Sequence, residues 1–227
     1  MATAGQRIAG IKPGLMACVT AGAGGIGRAI ADGLIAHGGR VIVSDIDAAA
    51  LADFRAAHPD HLAVEADAGT ELGMARLFDA VREAFGGLDL LVNNAGIAGP
   101  TAPIEEITTE AWQGTVDVNL TGHFLALREA VPLLKQGSDG SIVKISSVAG
   151  RLGYAFRLPY AATKWAVVGM AKSLAIELGT HGIRVNAILP GIVEGPRIDG
   201  VIRARAETVG LTFEEMRERY LDKTSLK

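Results

Sequence analysis

Short apolar runs alternate with longer stretches of helical periodicity along almost the whole chain. Leu15–Thr20, Val41–Ser44, Leu62–Glu65, Asp89–Asn93, Ser141–Ser146 and Ile183–Leu189 read as strands. Each is brief, rich in Val, Ile, Leu or Ala, and bounded by glycine, proline or polar residues. Between them the period lengthens. Ile26, Ile30 and Leu34, with the alanines among them, predict a helix up to Gly38-Gly39, and Ala48–Ala57 predicts another. Glu71–Phe85 carries Met74, Leu77, Phe78, Val81 and Phe85 on one stripe and is stopped by Gly86-Gly87. Thr108 to about Lys135 reads as one long helical stretch, and Leu158 to Leu178 as another. Ile198–Thr208 and Phe213–Asp222 are shorter candidates. Repeated β-α alternation, with no linker, repeat or break in composition, predicts an α/β protein: one domain over residues 1–227, a doubly wound parallel sheet with helices on both faces.

Composition narrows the partners. A chain of 227 residues can bury a real core in one such domain. Its net charge is −3 and no basic run exceeds two residues, which argues against nucleic acid or an anionic membrane as the main partner. Mean hydropathy is positive, yet no run reaches the roughly 18 apolar residues that spanning a bilayer requires. The start, MATAGQRIAGIKPG, lacks the apolar core of a secretory signal. Cys18 is the only cysteine, so no internal disulfide can form. It reads as a small buried hydrophobe on a strand, and its solitude suits a reducing, cytoplasmic compartment. His37, His58, His61, His123 and His181 are scattered without metal-ligand spacing; they are read as loop or helix-surface residues, and no metal is expected.

Two stretches carry candidate chemistry. Gly22, Gly24 and Gly27 satisfy GxGxxG between the first strand and the first helix. Glycines there let the backbone approach a pyrophosphate at a helix N-terminus, where free N–H groups favour anions. Asp45, about 20 residues on and at a strand end, is placed to accept ribose hydroxyls. Asp47 is read instead as the cap of the following helix. The other stretch is Ser147 to Lys164. Tyr160 and Lys164 stand four apart and share a helix face. A phenol titrates near ~10, and a neighbouring ammonium favours its ionised form, so such a pair can exchange a proton with a hydroxyl or carbonyl. Ser147, before a loop containing Gly150 and Gly153, can reach the same oxygen from outside the helix.

With these residues in place the chain resembles the single-domain short-chain dehydrogenase/reductase family over nearly its whole length. Thr20–Gly27 is similar to the family's TGxxxGxG, with Ala21 at the first glycine and Gly25 and Gly27 at the others; Gly22 is expected to compensate for the Ala21 methyl. Asn93, Ala95 and Gly96 resemble the family's NAG segment, Asn119 its helix-kink asparagine, and Pro190-Gly191 the PG after the sixth strand. Ser147, Tyr160 and Lys164 match the family's Ser and YxxxK and the separation between them. The threonine that often follows PG, near the nicotinamide carboxamide, is absent: the stretch reads Ile192 to Arg197. The family's further helix and seventh strand are missing too. The chain stops at Ser225-Leu226-Lys227, and truncation is the expectation, because without that strand its neighbour would be an exposed edge.

The resemblance implies a Rossmann-fold oxidoreductase that interconverts a secondary alcohol and a ketone. Tyr160 moves the hydroxyl proton, Lys164 lowers the Tyr160 pKa and holds the nicotinamide ribose, Ser147 steadies the substrate oxygen, and Asn119 supports a water relay. Around the cofactor it implies Gly22, Gly24, Gly25, Ile26, Gly27, Asp45, Ile46, Asp67, Ala68, Asn93, Ala95, Gly96, Pro190, Gly191 and Val193, beside Tyr160 and Lys164. NAD is the expected cofactor, since Asp45 would repel the 2′-phosphate of NADP. The alternatives are an NADPH-dependent 3-oxoacyl-thioester reductase and, remotely, a non-catalytic nucleotide-binding sensor. Substrate walls are expected from Ile97, Val148, Arg151, Tyr154, Phe156, Ile192 and Arg197; the two arginines either receive a carboxylate or phosphate or are plain surface charges. The helix from Tyr160 to Leu178 is apolar nearly all round, so a homodimer through it and the Asn119 helix is expected, doubled into a tetramer as in the family.

Overall fold

The apolar runs pair into one sheet in the order β3-β2-β1-β4-β5-β6. The computed structural model describes residues 11–222; the N-terminal residues read for a signal and the Ser225-Leu226-Lys227 end lie outside the described residues. The strands are β1 (Met16–Val19), β2 (Arg40–Asp45), β3 (Leu62–Glu65), β4 (Leu90–Asn93), β5 (Ser141–Ile145) and β6 (Arg184–Ile188). Every neighbouring pair is parallel. The helices are α1 (Gly25–Ala36), α2 (Ala48–Ala57), α3 (Glu71–Phe85), α4 (Thr109–Val116), α5 (Gly122–Leu134), α6 (Leu158–Gly179), α7 (Pro196–Val209) and α8 (Phe213–Leu221).

Both faces of the sheet are covered because the strands are apolar on both faces. Alternate residues divide between two cores. Ala17, Val19, Val41 and Val43 pack with Ala31 and Leu34 of α1 and with Leu51 and Phe54 of α2. Cys18, Ile42, Leu91 and Ile142 turn the other way, against Met74, Leu77 and Phe78 of α3 and a row of α5 residues including Leu125 and Leu134. Helix starts are capped where the sequence allows. Asp47 Oδ1 accepts the N–H groups of Ala49 and Ala50, as expected of a cap, and Thr212 and Glu215 form a capping box on α8.

The stretch expected as one helix from Thr108 to Lys135 is broken. Between α4 and α5 lies a π-helical turn, Asp117–Thr121. Its cause is tertiary, for Asn119 within it is drawn into hydrogen bonds with the Ile97 main chain. Strand order reverses between β1 and β4, so the crevice where such sheets bind ligands opens at the C-terminal ends of those two strands. Among the described residues no helix is long and apolar enough to cross a membrane.

Candidate active site

The glycine turn fills that crevice. Ala21 adopts φ +47°, in the left-handed region. The expected compensation by Gly22 therefore does not occur as a shifted turn, because the alanine takes the glycine's conformation itself. Gly22 serves close packing instead: a Cβ there would stand 2.8 Å from both the Val19 carbonyl and a Val43 methyl. Gly27 is held tighter still, with a would-be Cβ 2.2 Å from the Ala21 carbonyl oxygen. Gly24 and Gly25 differ from both. Apart from chain neighbours and the backbone of α1 itself, no atom of the described residues lies within 4 Å of where their Cβ atoms would be, and no side chain among them caps the first N–H groups of α1. The result is an open main-chain cradle at a helix N-terminus, lined by Ile26 beside it, which suits a pyrophosphate.

Asp45 ends β2 directly across from this cradle. Its Oδ2 accepts the Ala23 N–H at 3.3 Å, and Oδ1 accepts the N–H groups of Ile46 and Asp47 at 2.9 and 3.3 Å. Ile46 is 67% exposed, an apolar side chain bare to solvent beside the turn. Asp67 is exposed and its Oδ1 accepts from Gly69, while Ala68 is buried beneath α5 at Gly122.

Asn93 departs from expectation. It is 1% exposed, and its Nδ2 donates to the His123 carbonyl at 2.9 Å, so the side chain points into the core rather than toward the crevice. The neighbouring residue does the work at the surface. Asn94 Nδ2 donates to the carbonyls of both Thr20 and Ala21, and Thr20 Oγ1 accepts from the N–H groups of Asn94 and Ala95. This clamp ties the end of β4 to the glycine turn. Asn94 and Thr20 stood inside the quoted motifs, but neither was singled out as a binding residue. Ala95 is buried, and Gly96 passes so close to the catalytic region that a Cβ would lie 3.2 Å from Asn119 Oδ1 and 3.3 Å from Lys164 Nζ.

His123 overturns the loop-or-surface reading of the histidines. It is wholly buried, and its Nε2 donates to the Ala95 carbonyl at 3.0 Å. Burial foremost, then the Lys144 and Lys164 charges, hold its pKa well below the usual imidazole value. His58 and His61 are structural as well: His58 pairs with Asp32, and His61 Nδ1 accepts the Val41 N–H. Lys144, on β5, was not anticipated. It too is wholly buried, and burial and then Lys164 lower its pKa to about 7. Among the described residues neither Lys144 Nζ nor His123 Nδ1 has a hydrogen-bond partner.

Ser147, Tyr160 and Lys164 come together around the end of β5. Ser147 opens a short 3-10 turn, Val148–Gly150, accepting the Ala149 N–H through its hydroxyl oxygen, which leaves the hydroxyl proton to donate. That turn lies against α6, since a Cβ on Gly150 would stand 2.7 Å from the Lys164 carbonyl. Lys164 is 3% exposed; its Nζ donates to the Ile145 carbonyl at 2.9 Å and lies 5.7 Å from the centre of the Tyr160 ring. Burial, and secondarily Arg197, bring its pKa down to about 7. Asn119 is committed at both ends, accepting from the Ile97 N–H at 2.7 Å and donating to the Ile97 carbonyl at 3.0 Å. Pro190 accepts the Val148 N–H through its carbonyl, and the Gly191 to Val193 stretch beyond it is exposed.

Sequence reasoning missed Arg157. It is 3% exposed, with its guanidinium 4.7 Å from the centre of the Tyr160 ring and its Nη2 donating to the Ala98 carbonyl. An apolar cleft of about 710 Å³ lies between Ala102–Glu105 and Leu152–Trp165; it takes in Tyr154 and Phe156 of the expected substrate wall but none of Ser147, Tyr160 and Lys164.

The sequence model of the short chain dehydrogenase family matches residues 15–206. The 3-alpha-(or 20-beta)-hydroxysteroid dehydrogenase of Mycobacterium tuberculosis (strain ATCC 25618 / H37Rv) is 43% identical over 195 residues, 83% of this chain and 72% of the relative. The 2-dehydro-3-deoxy-L-rhamnonate dehydrogenase (NAD(+)) of Sphingomonas sp. (strain SKA58) is 35% identical over 199 residues, 88% of this chain and 80% of the relative. The crystal structure of levodione reductase superposes with a TM-score of 0.85 at 30% identity, covering 93% of this chain and 83% of that one. The chain belongs to the short-chain dehydrogenase/reductase family. It is an oxidoreductase acting on CH–OH and keto groups with a nicotinamide cofactor.

Proposed function

We propose that the chain forms one NAD-binding domain that interconverts a secondary alcohol and a ketone, with Tyr160 as the acid/base. The observation that carries this reading is the buried Lys164 ammonium, fixed by the Ile145 carbonyl beside the Tyr160 ring and beneath Gly96. Held there, Lys164 stands beside the phenol whose proton is transferred. Tyr160 takes or returns the hydroxyl proton, and Ser147 donates to the same oxygen and orients it. With its side chain bound to Ile97, Asn119 supports a water relay through the main chain of the π turn. NAD, when bound, supplies the hydride acceptor for the carbinol carbon. Gly24, Gly25, Ile26 and Gly27 hold its pyrophosphate, and Asp45 with Ile46 its adenosine end. Asp67, Ala68, Ala95, Gly96, Pro190, Gly191 and Val193 line the remainder, with Gly22 and Asn93 supporting from behind.

Asp45 supports NAD over NADP, and the rhamnonate dehydrogenase relative is itself named for NAD(+). The same carboxylate weighs against an NADPH-dependent 3-oxoacyl-thioester reductase. A cytoplasmic homodimer or homotetramer fits the lone buried thiol of Cys18 and the apolar surface of α6. The test is a screen of secondary alcohols with NAD and with NADP, following reduced nicotinamide by its absorbance. Turnover is expected with NAD; no turnover with either cofactor across a broad panel contradicts the reading.

A further inference from the structure

The residues on either side of Arg157 line the apolar cleft, Phe156 before it and Leu158 after it, whereas Arg157 itself is 3% exposed. Phe156 holds φ +63°, a left-handed conformation rare for a bulky side chain. Its carbonyl accepts the Ala102 N–H at 3.0 Å, which fastens this turn to the loop after β4. Arg157 follows as the residue that opens α6, and its carbonyl accepts the Ala161 N–H at 2.9 Å. Its side chain runs inward. The guanidinium carbon lies 4.7 Å from the centre of the Tyr160 ring and 5.9 Å from that of Tyr154. Nη2 donates to the Ala98 carbonyl at 2.8 Å. Arg151 and Arg197, the arginines expected in the substrate wall, are exposed instead.

Packing alone does not call for a guanidinium here. Burying a charge is costly unless an opposite charge meets it. Among the described residues Arg157 makes no ion pair, and its Nε has no hydrogen-bond partner. Burial foremost lowers its pKa, with the nearby Tyr160 phenol acting the other way. An apolar side chain of similar length would fill the space at less cost. What the guanidinium adds is a flat cation against an aromatic ring, with a rigid fork of donors to grip the main chain. The loop it grips is already tied to α6 by another route. Ile97, next to Ala98, bonds both ends of the Asn119 side chain. Asn119 Nδ2 also reaches Thr163 Oγ1 at 3.3 Å, and Thr163 donates to the Tyr160 carbonyl at 2.9 Å. The Tyr160 main chain is thus joined to the loop through Thr163 and Asn119, and the Tyr160 ring through Arg157. We propose that Arg157 is a positioning residue for Tyr160: lying against the ring and anchored on the Ala98 carbonyl, it fixes where the phenol hydroxyl points. A reacting group misplaced by ~1 Å loses on the order of 10² in rate. A tether on the ring therefore has a kinetic consequence although it touches no reacting atom. This inference rests on the proposed proton transfer by Tyr160 and adds the group that aims it.

Arg157→Met keeps a long apolar stem and removes the cation and its donors; Arg157→Lys keeps the charge without the fork. With saturating NAD and the fastest secondary alcohol of the screen, Arg157→Met is expected to lower kcat roughly 10- to 100-fold and to leave the KM for NAD unchanged. Arg157→Lys is expected to recover part of the loss. In a Tyr160→Phe background, Arg157→Met is expected to change the residual kcat by less than about threefold, because the hydroxyl it aims is gone. An equal loss in both backgrounds would overturn the proposal by showing a general structural effect, and so would an unchanged kcat in the first. A second arm needs no turnover. The chain has three tyrosines, Tyr154, Tyr160 and Tyr220, so labelling with 3-fluorotyrosine gives three fluorine resonances, and Tyr160→Phe assigns one of them. That resonance is expected to shift or broaden in Arg157→Met and to change less in Arg157→Lys; an unmoved resonance would overturn the proposal. If no alcohol reacts, or Tyr160→Phe turns over at the wild-type rate, the acid/base reading fails by itself. The fluorine arm then decides alone whether Arg157 holds the ring.

Discussion

The Asp45 carboxylate accepts the main-chain N–H of Ala23 at 3.3 Å, which joins the end of β2 to the glycine turn after β1. A unit negative charge is thereby fixed beside the cradle, with Ile46 rather than a basic residue next to it. Two unit charges ~4 Å apart repel by ~4 kcal/mol at an effective dielectric of ~20. Even with half of that lost to screening, tens-fold discrimination against a 2′-phosphate remains. NAD is expected over NADP by at least tenfold in kcat/KM, and Asp45→Ala is expected to narrow the ratio. Steady-state kinetics with both cofactors decides it; equal use of both by the unmutated enzyme would place Asp45 away from the ribose.

Ala21 carries the left-handed strain that the family leaves to glycine. A non-glycine residue there costs roughly 1–2 kcal/mol, part of which glycine's greater freedom in the unfolded chain gives back. Ala21→Gly is expected to stabilise by about 1 kcal/mol, a rise of about 2–4 °C in melting temperature for a domain of this size. Thermal denaturation that shows a loss instead would mean the turn is not strained.

Lys144 and Lys164 make stability depend on pH. Each has a folded pKa of about 7, below the ordinary 10.5 of the free side chain. Between those limits the unfolded chain binds more protons, so raising the pH favours the folded state, by up to roughly 1.4 kcal/mol per pH unit for each group. The gain is complete above the unfolded value and is lost as pH falls through the folded one. Cys18 acts oppositely. Burial lifts its pKa from 9.0 to about 12, so the stability it preserves is lost as pH rises beyond 9. Urea denaturation is expected to show rising stability from about pH 7 to 9, with a shallower rise in Lys144→Met. Removing an unpartnered buried amine is also expected to stabilise that variant near pH 7. An identical slope in both proteins would count against the burial of Lys144.

Trp165 and Ile176 of α6 are 52% and 83% exposed, with Phe124 of α5 and Trp112 of α4 also bare. A helix with an apolar outer face is stable when another surface covers it. Light scattering is expected to give at least twice the 23.5 kDa chain mass, and Trp165→Glu with Ile176→Glu to reduce it. A monomer at micromolar concentration would refute association through α6.

Much of this was legible in the sequence because the strands are apolar on both faces and the helices carry glycine stops or polar caps. β3, α2 and α3 have the expected bounds. What escaped depends on distant partners. The break at Asn119 is set by the Ile97 main chain, which no local pattern reports. Asn94 and Thr20 look like ordinary members of their motifs until the two strands are side by side. Arg157 reads as a loop charge, although the fold lays it against the Tyr160 ring. Lys144 had a usable signal: alternation along β5 puts it on the face of Ile142, which is buried. His123 had one as well, standing one turn after Asn119 on the side that meets Ala95.

The central claim is that Tyr160 transfers the proton. Tyr160→Phe keeps the ring beside Arg157 and Lys164 and removes only the hydroxyl. With the best alcohol from the NAD screen, kcat is expected to fall at least a hundredfold, within the usual ~10² to 10⁴ for lost acid–base catalysis, while NADH binding, followed by fluorescence titration, stays the same. Turnover by Tyr160→Phe at the wild-type rate would contradict the account.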